Sequence, residues 1–352
     1  MKRLLIVVQR GSRLFFAYSP SFIKLFLLRV RGASVGKGVR ISHGSWIRAK
    51  KVSIGNHVRI GRDGYLETGE LILEDHVFLG DRFRIAGPKS IRMGEYTEVY
   101  ENFEVNGFEY ITIGENCWIG ERTFFNAQAD IRVGNGVCIA RECQLWTHGY
   151  FAPILNGYPF KFGPITIQGD CWLAPRVIVL PDVLIGKNVL LGAGSVVTKS
   201  IAPCTMNVGI PAKEIATEKE YRISLDSKKK EEMLREYLFK KLTLMNYEVK
   251  HSGERMVCAK GGHLFTLQYI TPLDSASISI ETLQGENIFF FFGKMDEKTK
   301  SLITLNKRAT YFDVERREYL KKSLRAEILL KKILNENMIR FNRLSITGDD
   351  TR

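Results

Sequence analysis

The chain has 352 residues, of which 45% are hydrophobic and 26% are charged, and its formal net charge is +14. This is the composition of an ordinary globular protein, and it excludes the collagen-like, wholly disordered and disulfide-scaffold classes. The apolar runs are far shorter than the roughly 18–20 residues that span a bilayer, so no transmembrane helix is predicted.

The positive charge is concentrated at the two ends of the chain. Residues 1–40 hold 9 basic and 0 acidic side chains, residues 41–217 hold 17 and 18, and residues 218–352 hold 26 and 20. A nucleic-acid-binding protein usually has a basic main body or a recognisable motif, and this chain has neither. We therefore expect no nucleic-acid partner.

Residues 1–33 are predicted to form a basic amphipathic helical segment. The polar stretch Gln9–Arg13 interrupts the first apolar run too early for a signal peptide. Ser19 and Pro20 are typical of an N-cap and a first helical position, and the helix is expected to run to about Arg31. The helix either packs on the rest of the protein or lies on the anionic cytoplasmic face of a membrane.

Six cysteines occur without an export signal and without a CxxC pair. This usage favours a reducing compartment, so we expect a cytoplasmic protein with at most a peripheral membrane contact.

An internal repeat dominates residues 34–217. Apolar residues recur at every sixth position in eight sets of three, and 22 of the 24 positions are Ile, Leu or Val. The sets are Val35, Ile41, Ile47; Ile54, Ile60, Leu66; Leu73, Leu79, Ile85; Met93, Val99, Val105; Ile113, Ile119, Phe125; Val133, Ile139, Leu145; Ile167, Leu173, Val179; and Ile185, Leu191, Val197. A six-residue unit of this kind is a short strand followed by a bend.

Three units make one coil of a triangular prism, and extra residues are inserted after the third unit of most coils. The largest insertion lies between Leu145 and Ile167 and exceeds the normal step by 16 residues. Eight coils stacked at about 4.8 Å give a prism about 35–40 Å long. The spacing leaves the handedness open, and the ordinary crossover rule favours a right-handed coil.

The repeats at 54–61 (IGNHVRIG), 113–120 (IGENCWIG) and 133–140 (VGNGVCIA) resemble those of the bacterial hexapeptide-repeat acyltransferases. The resemblance covers about residues 34–215. It implies a left-handed parallel β-helix, a mainly β fold class, and a homotrimer in which each active site lies at a subunit border.

Residues 166–199 (TIQGDCWLAPRVIVLPDVLIGKNVLLGAGSVVTK) and 209–213 (GIPAK) resemble the acetyl-CoA end of the sugar O-acetyltransferase branch of that family. By this resemblance the pantetheine arm and phosphates of CoA would meet six residues: Trp172, Ala174, Ala193, Thr198, Lys199 and Lys213. CoA carries several phosphate charges and a flexible arm. Lysine ammonium groups suit the phosphates, and a narrow groove lined by backbone amides suits the arm. Pro175 and Ala216 depart from the family pattern, because the former lacks an amide proton and the latter replaces a basic residue.

His148 lies in the stretch 145–150 (LWTHGY), directly before the long insertion. In the family a histidine at this place is the general base, which implies that His148 deprotonates the acceptor hydroxyl with no acyl-enzyme formed. An aromatic loop beside a base suits a sugar ring, so Trp146 and Tyr150 are predicted to contact the acceptor. Asn126 lies one coil before Trp146, where a family asparagine holds the acceptor; alternatively it adopts a left-handed corner conformation beside Asn106.

Two histidines in adjacent coils, His57 and His76, are predicted to stack about 5 Å apart. They could form half of a metal site, as in the hydratase branch of the same fold, but no third ligand is evident, so we expect no metal. Cys117, Cys143 and Cys171 fall at small inward positions and are expected to fill the core.

Residues 218–352 are predicted to form a separate small α+β domain of unknown role. Glu218–Leu244 has helical spacing, which returns from about Val314 to Phe341. The strand-like runs between them are Met256–Ala259, His263–Ile270, Ala276–Thr282 and Ile288–Phe292. This region could recognise the acceptor, dock a glycosyltransferase or cap the prism.

The hypothesis that these residues favour is a cytoplasmic acetyltransferase that uses acetyl-CoA on a sugar hydroxyl in surface polysaccharide or glycan synthesis. The nearest alternative is an N-acetyltransferase acting on an amino sugar. A metal-dependent hydratase and a non-catalytic scaffold are the alternatives from other classes.

Overall fold

The computed structural model describes residues 13–149, 154–158, 160–252, 255–270, 285–293, 295, 297–322, 324–336, 339 and 341–343. The chain divides into two compact units, residues 1–222 and residues 223–352. Each unit has its own hydrophobic core.

The first unit consists mainly of short strands that follow the six-residue repeat. Its strands are β1 (Ser34–Val35), β2 (Arg40–Ile41), β3 (Trp46–Ile54), β4 (Arg59–Ile60), β5 (Tyr65–Leu73), β6 (Phe78–Leu79), β7 (Arg84–Ala86), β8 (Ser90–Met93), β9 (Glu98–Val99), β10 (Glu104–Gly107), β11 (Tyr110–Ile113), β12 (Trp118–Ile119), β13 (Phe124–Ala127), β14 (Ile131–Val133), β15 (Cys138–Ile139), β16 (Gln144–Trp146), β17 (His148–Gly149), β18 (Lys161–Phe162), β19 (Ile165–Ile167), β20 (Trp172–Leu173), β21 (Ile178–Val179), β22 (Val183–Ile185), β23 (Leu190–Leu191), β24 (Val196–Val197), β25 (Thr205–Val208) and β26 (Lys213–Thr217). Residues 13–18 are helical, and the labelled helices are α1 (Ser21–Val30) and α2 (Glu218–Tyr221), with a 3-10 turn at Ile154–Asn156.

These strands stack into three flat faces. The first face contains β1, the ends of β3 and β5, and then β8, β11, β14, β19 and β22. The second face contains β2, β4, β6, β9, β12, β15, β20, β23 and β25, with β26 antiparallel at its end. The third face contains the starts of β3 and β5, and then β7, β10, β13, β16, β21 and β24. We call the bends after the first, second and third faces the first, second and third corners.

The core of the prism is the ladder of aliphatic side chains that the repeat predicts. Of the 24 repeat positions, Val35 is partly buried and the other 23 are fully buried. Neighbouring coils pair in parallel and in register, as Ile111 does with Ile131 and Ile131 with Ile165. The predicted fold class, a left-handed parallel β-helix, is confirmed. Burying each of these side chains contributes about 1.5–3 kcal/mol, so the stack of coils is held chiefly by its interior.

Small polar side chains inside the corners tie each coil to the next. The thiols of Cys117, Cys143 and Cys171 lie 3.1, 3.2 and 3.0 Å from backbone carbonyl oxygens of the following coil. Thr97 uses its hydroxyl in the same way, at 2.6 Å from the carbonyl oxygen of Gly114. The prediction that these cysteines fill the core is confirmed by their burial. Burial also raises the pKa of Cys143 to about 12, so this thiol is protonated at neutral pH and is no nucleophile.

Helix α1 packs on the first coil through one side only. Lys24 and Leu28 are buried, and the Lys24 Nζ donates a hydrogen bond to the Ser42 carbonyl oxygen. Burial lowers the pKa of Lys24 to about 8, because the charged ammonium is removed from water. The helix thus docks on the prism while its opposite side faces solvent.

The predicted N-cap of this helix is wrong. The helix begins at Ser21 after Pro20, and no side chain caps it. Residues 13–18 are already helical, so the Ser19 hydroxyl donates back one turn to the Phe15 carbonyl oxygen.

The second unit is a mixed seven-stranded sheet with helices. Its elements are α3 (Ser227–Leu244), β27 (Glu248–Ser252), β28 (Arg255–Lys260), β29 (His263–Ile270), β30 (Glu286–Phe291), α4 (Glu297–Leu305), β31 (Ala309–Asp313), β32 (Glu318–Tyr319), α5 (Arg325–Glu336) and β33 (Asn342–Arg343). Helices α3 and α5 pack on one core cluster, and Ile303 of α4 belongs to another. No helix among the residues described in either unit is long and apolar enough to cross a membrane.

The predicted elements of the second unit are partly correct. Helix α3 buries Leu234, Leu238 and Leu242, as its spacing predicts, but it is separated from α2 by a break at residues 222–226. The helical spacing at residues 314–341 is confirmed for α5 (Arg325–Glu336) but not for the residues before it.

A hairpin takes up the start of that predicted helix. Asp313 accepts a hydrogen bond from the Arg316 amide at 2.9 Å, and Arg317 has a positive φ of 54°, so the chain turns into β32 before α5 begins. Strand β27, helix α4 and strand β31 were not predicted. The expected strand at Ala276–Thr282 lies outside the described residues.

Candidate active site

The third corner changes character at the end of β16. Up to Trp146 the chain follows the repeat, and it then leaves the prism as an antiparallel hairpin in which His148 pairs with Phe162 and Gly149 with Lys161. The 16-residue excess predicted from the repeat falls in this segment, whose described residues also include the 3-10 turn. It places His148 at the edge of the prism and half-buried.

Thr147 anchors the base of the hairpin and is completely buried. Its hydroxyl donates to the Asn126 carbonyl oxygen at 2.7 Å and accepts from the amides of Gln128 and Ala129 at 2.8 and 2.9 Å. Its own carbonyl oxygen accepts from the Gly163 amide at 3.1 Å. One hydroxyl therefore joins the hairpin to the corner of the preceding coil, and sequence inspection did not single this residue out.

The side chains of His148 and Asn126 are in contact. His148 Nδ1 lies 2.7 Å from Asn126 Oδ1. An amide oxygen only accepts, so in this pairing Nδ1 carries the proton and Nε2 carries the lone pair that a general base requires. Asn126 is buried in β13, paired in register with Asn106 of β10, and has no positive φ, so the left-handed corner conformation considered for it is not observed.

Aromatic rings flank His148. The ring centroids of Trp146 and Phe162 lie 6.1 and 5.9 Å from that of the imidazole. Phe162 is exposed, whereas Trp146 is partly buried and donates from Nε1 to the Gln144 side chain at 2.9 Å. Such surfaces suit the apolar face of a sugar ring. Tyr150, the third residue predicted to contact the acceptor, lies outside the described residues.

The residues expected to bind CoA are spread around the prism. Trp172 is 47% exposed in β20 on the second face, and Ala174 is buried after it, with its amide donated to the Leu191 carbonyl oxygen. Ala193 is exposed at the second corner. Thr198 and Lys199 follow β24 at the third corner, and Lys213 is exposed at the start of β26.

This placement separates Trp172 from His148 within one chain. In a triangular coil the second face lies opposite the third corner, and these two residues occupy those two places. Thr198 and Lys199, by contrast, share the third corner with His148. One chain alone therefore does not bring all the predicted site residues together.

A depression of about 430 Å³ lies beside Ala193. Pro175, Arg141 and Arg176 line it together with Glu142. Arg176 and Arg122 hydrogen-bond the Glu142 carboxylate and lower its pKa, so the carboxylate stays ionised between them. These exposed cations were not predicted. Arg122 and Arg176 occupy the same position of the second corner two coils apart, and Glu142 occupies it in the coil between them, so the sequence signal is this alternation of charge.

The predicted histidine stack is present at the first corner. The rings of His57 and His76 are stacked with centroids 5.1 Å apart, and Tyr96 continues the stack at 4.6 Å. In the part of the chain that the structure describes, no group of three or more His, Cys, Asp or Glu side chains could hold a metal ion.

The repeat matches a known family. Residues 164–199 match the family described as bacterial transferase hexapeptide (six repeats). Galactoside O-acetyltransferase of Escherichia coli strain K12 is 34% identical over 131 residues, which are 34% of this chain and 63% of that protein. A Schizosaccharomyces pombe protein named as an acetyltransferase is 40% identical over 117 residues, which are 31% of this chain and 55% of that protein. The chain thus spans less than two thirds of the length of these curated relatives.

Solved structures of acyltransferases are also similar. A mutant of the N-acyltransferase AntD from Bacillus cereus, in complex with dTDP and coenzyme A, is 22% identical with a TM-score of 0.32, over 59% of this chain and 91% of that one. Residues 164–199 of this chain therefore carry the repeat of the bacterial hexapeptide transferases.

Proposed function

We propose that the first unit is an acetyl-CoA-dependent acetyltransferase that acts on a sugar hydroxyl in polysaccharide or glycan synthesis, with His148 as general base. The observation that carries this proposal is the 2.7 Å contact between His148 Nδ1 and Asn126 Oδ1 in a corner flanked by aromatic rings. The name of the Escherichia coli relative, galactoside O-acetyltransferase, supports oxygen as the accepting atom.

The chemistry follows from the tautomer. Nε2 of His148 takes the proton of the acceptor hydroxyl as the hydroxyl oxygen attacks the thioester carbonyl carbon of acetyl-CoA. The carbon–sulfur bond then breaks, and the leaving thiolate takes that proton, so the products are an acetyl ester and CoA. Asn126 keeps the imidazole oriented through both steps, and Thr147 keeps the Asn126 corner in place.

We infer that the active unit is a homotrimer. Trp172 and Ala193 lie on the far side of the prism from His148, and a second chain can supply them across a border. Flat-sided prisms pack readily around a threefold axis. In this arrangement the exposed Lys199 and Lys213, with Arg176 beside Ala193, are the cations available to the phosphates of CoA.

The test is cleavage of acetyl-CoA by the full chain against a panel of sugars, amino sugars and nucleotide sugars, followed by mass spectrometry and mild alkaline treatment of the product. We expect CoA release with a hydroxyl acceptor and an alkali-labile ester. An alkali-stable amide would instead identify an N-acetyltransferase. No CoA release with any acceptor, by protein that also fails to bind CoA, would contradict the proposal.

We also propose that the protein contacts the cytoplasmic face of a membrane through its N-terminal apolar face, defined by Leu14, Phe15, Tyr18, Phe22, Phe26 and Val30. All six side chains are more than half exposed. Residues 1–40 carry 9 basic and 0 acidic side chains, and Arg13, Arg29 and Arg31 are exposed around this face. Anionic lipid is the partner that matches both the apolar surface and the charge. The six cysteines form no disulfide, which suits a cytoplasmic setting.

We expect the protein to sediment with vesicles that contain 30% phosphatidylglycerol and not with pure phosphatidylcholine vesicles. Phe22→Ser/Phe26→Ser should weaken this binding at least tenfold, because each exposed ring contributes about 1.5–3 kcal/mol when buried. Leu305→Ser, at an exposed position of the second unit, is the matched control. Equal binding to both vesicles, or a double variant that binds normally but changes its oligomeric mass, would show that this face has another partner.

A further inference from the structure

A depression of about 790 Å³ opens along the third corner on the coils that precede His148. The lining residues that bear on its function are Thr68, Gly87, Lys89, Asn106, Phe108 and Tyr110. We call it the third-corner groove. The acetyl transfer proposed above uses the residues around His148 and those proposed for CoA, and it leaves this groove without a role.

The groove leads to the proposed general base. Glu67 pairs with Ala86, Ala86 with Asn106, and Asn106 with Asn126 in parallel register. These three steps of about 4.8 Å make a path of about 14 Å, long enough for about three sugar rings. The path ends at Asn126, whose side chain contacts His148.

The floor of the groove is bare backbone. A Cβ added at Gly69 would lie 2.3 Å from the Lys89 carbonyl oxygen, and one at Gly87 would lie 2.8 Å from the Gly107 carbonyl oxygen. No side chain fits at either position, so the coils approach closely and the groove stays open.

The wall of the groove combines aromatic and charged groups. Phe108 is 62% exposed and Tyr110 is 51% exposed, and both line the same depression, so together they form an exposed apolar patch of the kind that marks a ligand or partner site. The Lys89 ammonium lies 5.5 Å over the Tyr110 ring and donates to both Glu109 carboxylate oxygens at 2.8 and 2.7 Å. Aromatic faces beside fixed polar groups match a pyranose, which has apolar C–H faces and a rim of hydroxyls.

We propose that the third-corner groove binds further sugar residues of the acceptor, so that the acceptor is a glycan chain rather than a free monosaccharide or a nucleotide sugar. This inference rests on the proposed function at His148, which sets the end of the chain to be acetylated. The remaining sugars lie along the groove and stack on Phe108 and Tyr110.

The experiment is a chain-length series of galacto-, malto- and chito-oligosaccharides of one to four units. Binding to the full chain is measured by calorimetry without acetyl-CoA, and KM is measured with it. In at least one series we expect the Kd and the KM to fall about tenfold from one to three units. Phe108→Ala/Tyr110→Ala should abolish this gain with length. Phe239→Ala, a partly exposed aromatic residue of the second unit, should keep it.

The outcomes separate the groove from the catalytic proposal. Length-dependent binding that the double variant abolishes, without CoA release from any sugar, supports the groove and contradicts the transferase. CoA release with no length dependence in any series overturns the groove alone. The groove is also overturned if the double variant keeps its length preference but loses oligomeric mass in light scattering, because Phe108 and Tyr110 would then be subunit contacts.

Discussion

We expect His148→Ala to lower kcat/KM for acetyl transfer by about 10²- to 10⁴-fold, which is the usual contribution of a positioned general base. Without the imidazole, water must take the proton of the attacking hydroxyl. The loss should appear mainly in kcat, because His148 removes the acceptor hydroxyl proton during the chemical step and is not needed to hold CoA. CoA release under saturating acetyl-CoA measures it.

The fold should survive this substitution, which makes the result interpretable. His148 is half-buried in a hairpin outside the aliphatic ladder, so the melting temperature should change little. Asn126→Asp is the informative companion variant. A carboxylate beside Nδ1 favours the imidazolium, so the acid limb of the pH–rate profile should move to higher pH. A His148→Ala protein that keeps more than a tenth of its turnover would show that the base lies elsewhere.

The prism was predictable because its signal is local and repeated. Each apolar position every six residues meets the same position of the next coil, so one pattern determines the strands, the faces and the core together. The Thr147 contacts carry no such signal. The Thr147 hydroxyl donates to the carbonyl oxygen of Asn126, 21 residues earlier in the chain. In the sequence, a single Thr after a Trp cannot be told from the many threonines that lie on protein surfaces.

The second unit was harder to predict for a related reason. Its sheet mixes parallel and antiparallel neighbours, so no strand repeats the environment of another. The apolar residues of 314–341 keep helical spacing even where the chain forms the hairpin of β31 and β32. The turn of that hairpin depends on one hydrogen bond, from the Arg316 amide to the Asp313 side chain, which leaves no mark on the apolar pattern. Local periodicity could not distinguish these cases.

The placement of the site residues around the prism leads to the second large prediction. If Trp172 of one chain completes the site of His148 in a neighbour, two inactive variants should restore each other in mixed trimers. Trp172→Asp removes an exposed apolar surface and sets a negative charge against the polyanionic CoA, so it should be inactive alone, as should His148→Ala. Co-expressed in equal amounts with different tags, the two should recover about a quarter of the wild-type turnover.

That fraction follows from the geometry of the border. A working site needs an intact His148 from one chain and an intact Trp172 from the next, and each is present with a chance of about one half in random assembly. The matched control pairs His148→Ala with Asn126→Ala, since the side chains of these two residues contact each other within one chain. No border in that mixture contains both groups intact on one chain, so it should show no recovery. Recovery of turnover in the control mixture, or no recovery in the mixture of His148→Ala with Trp172→Asp, would contradict a site built from the third corner of one chain and the second face of its neighbour.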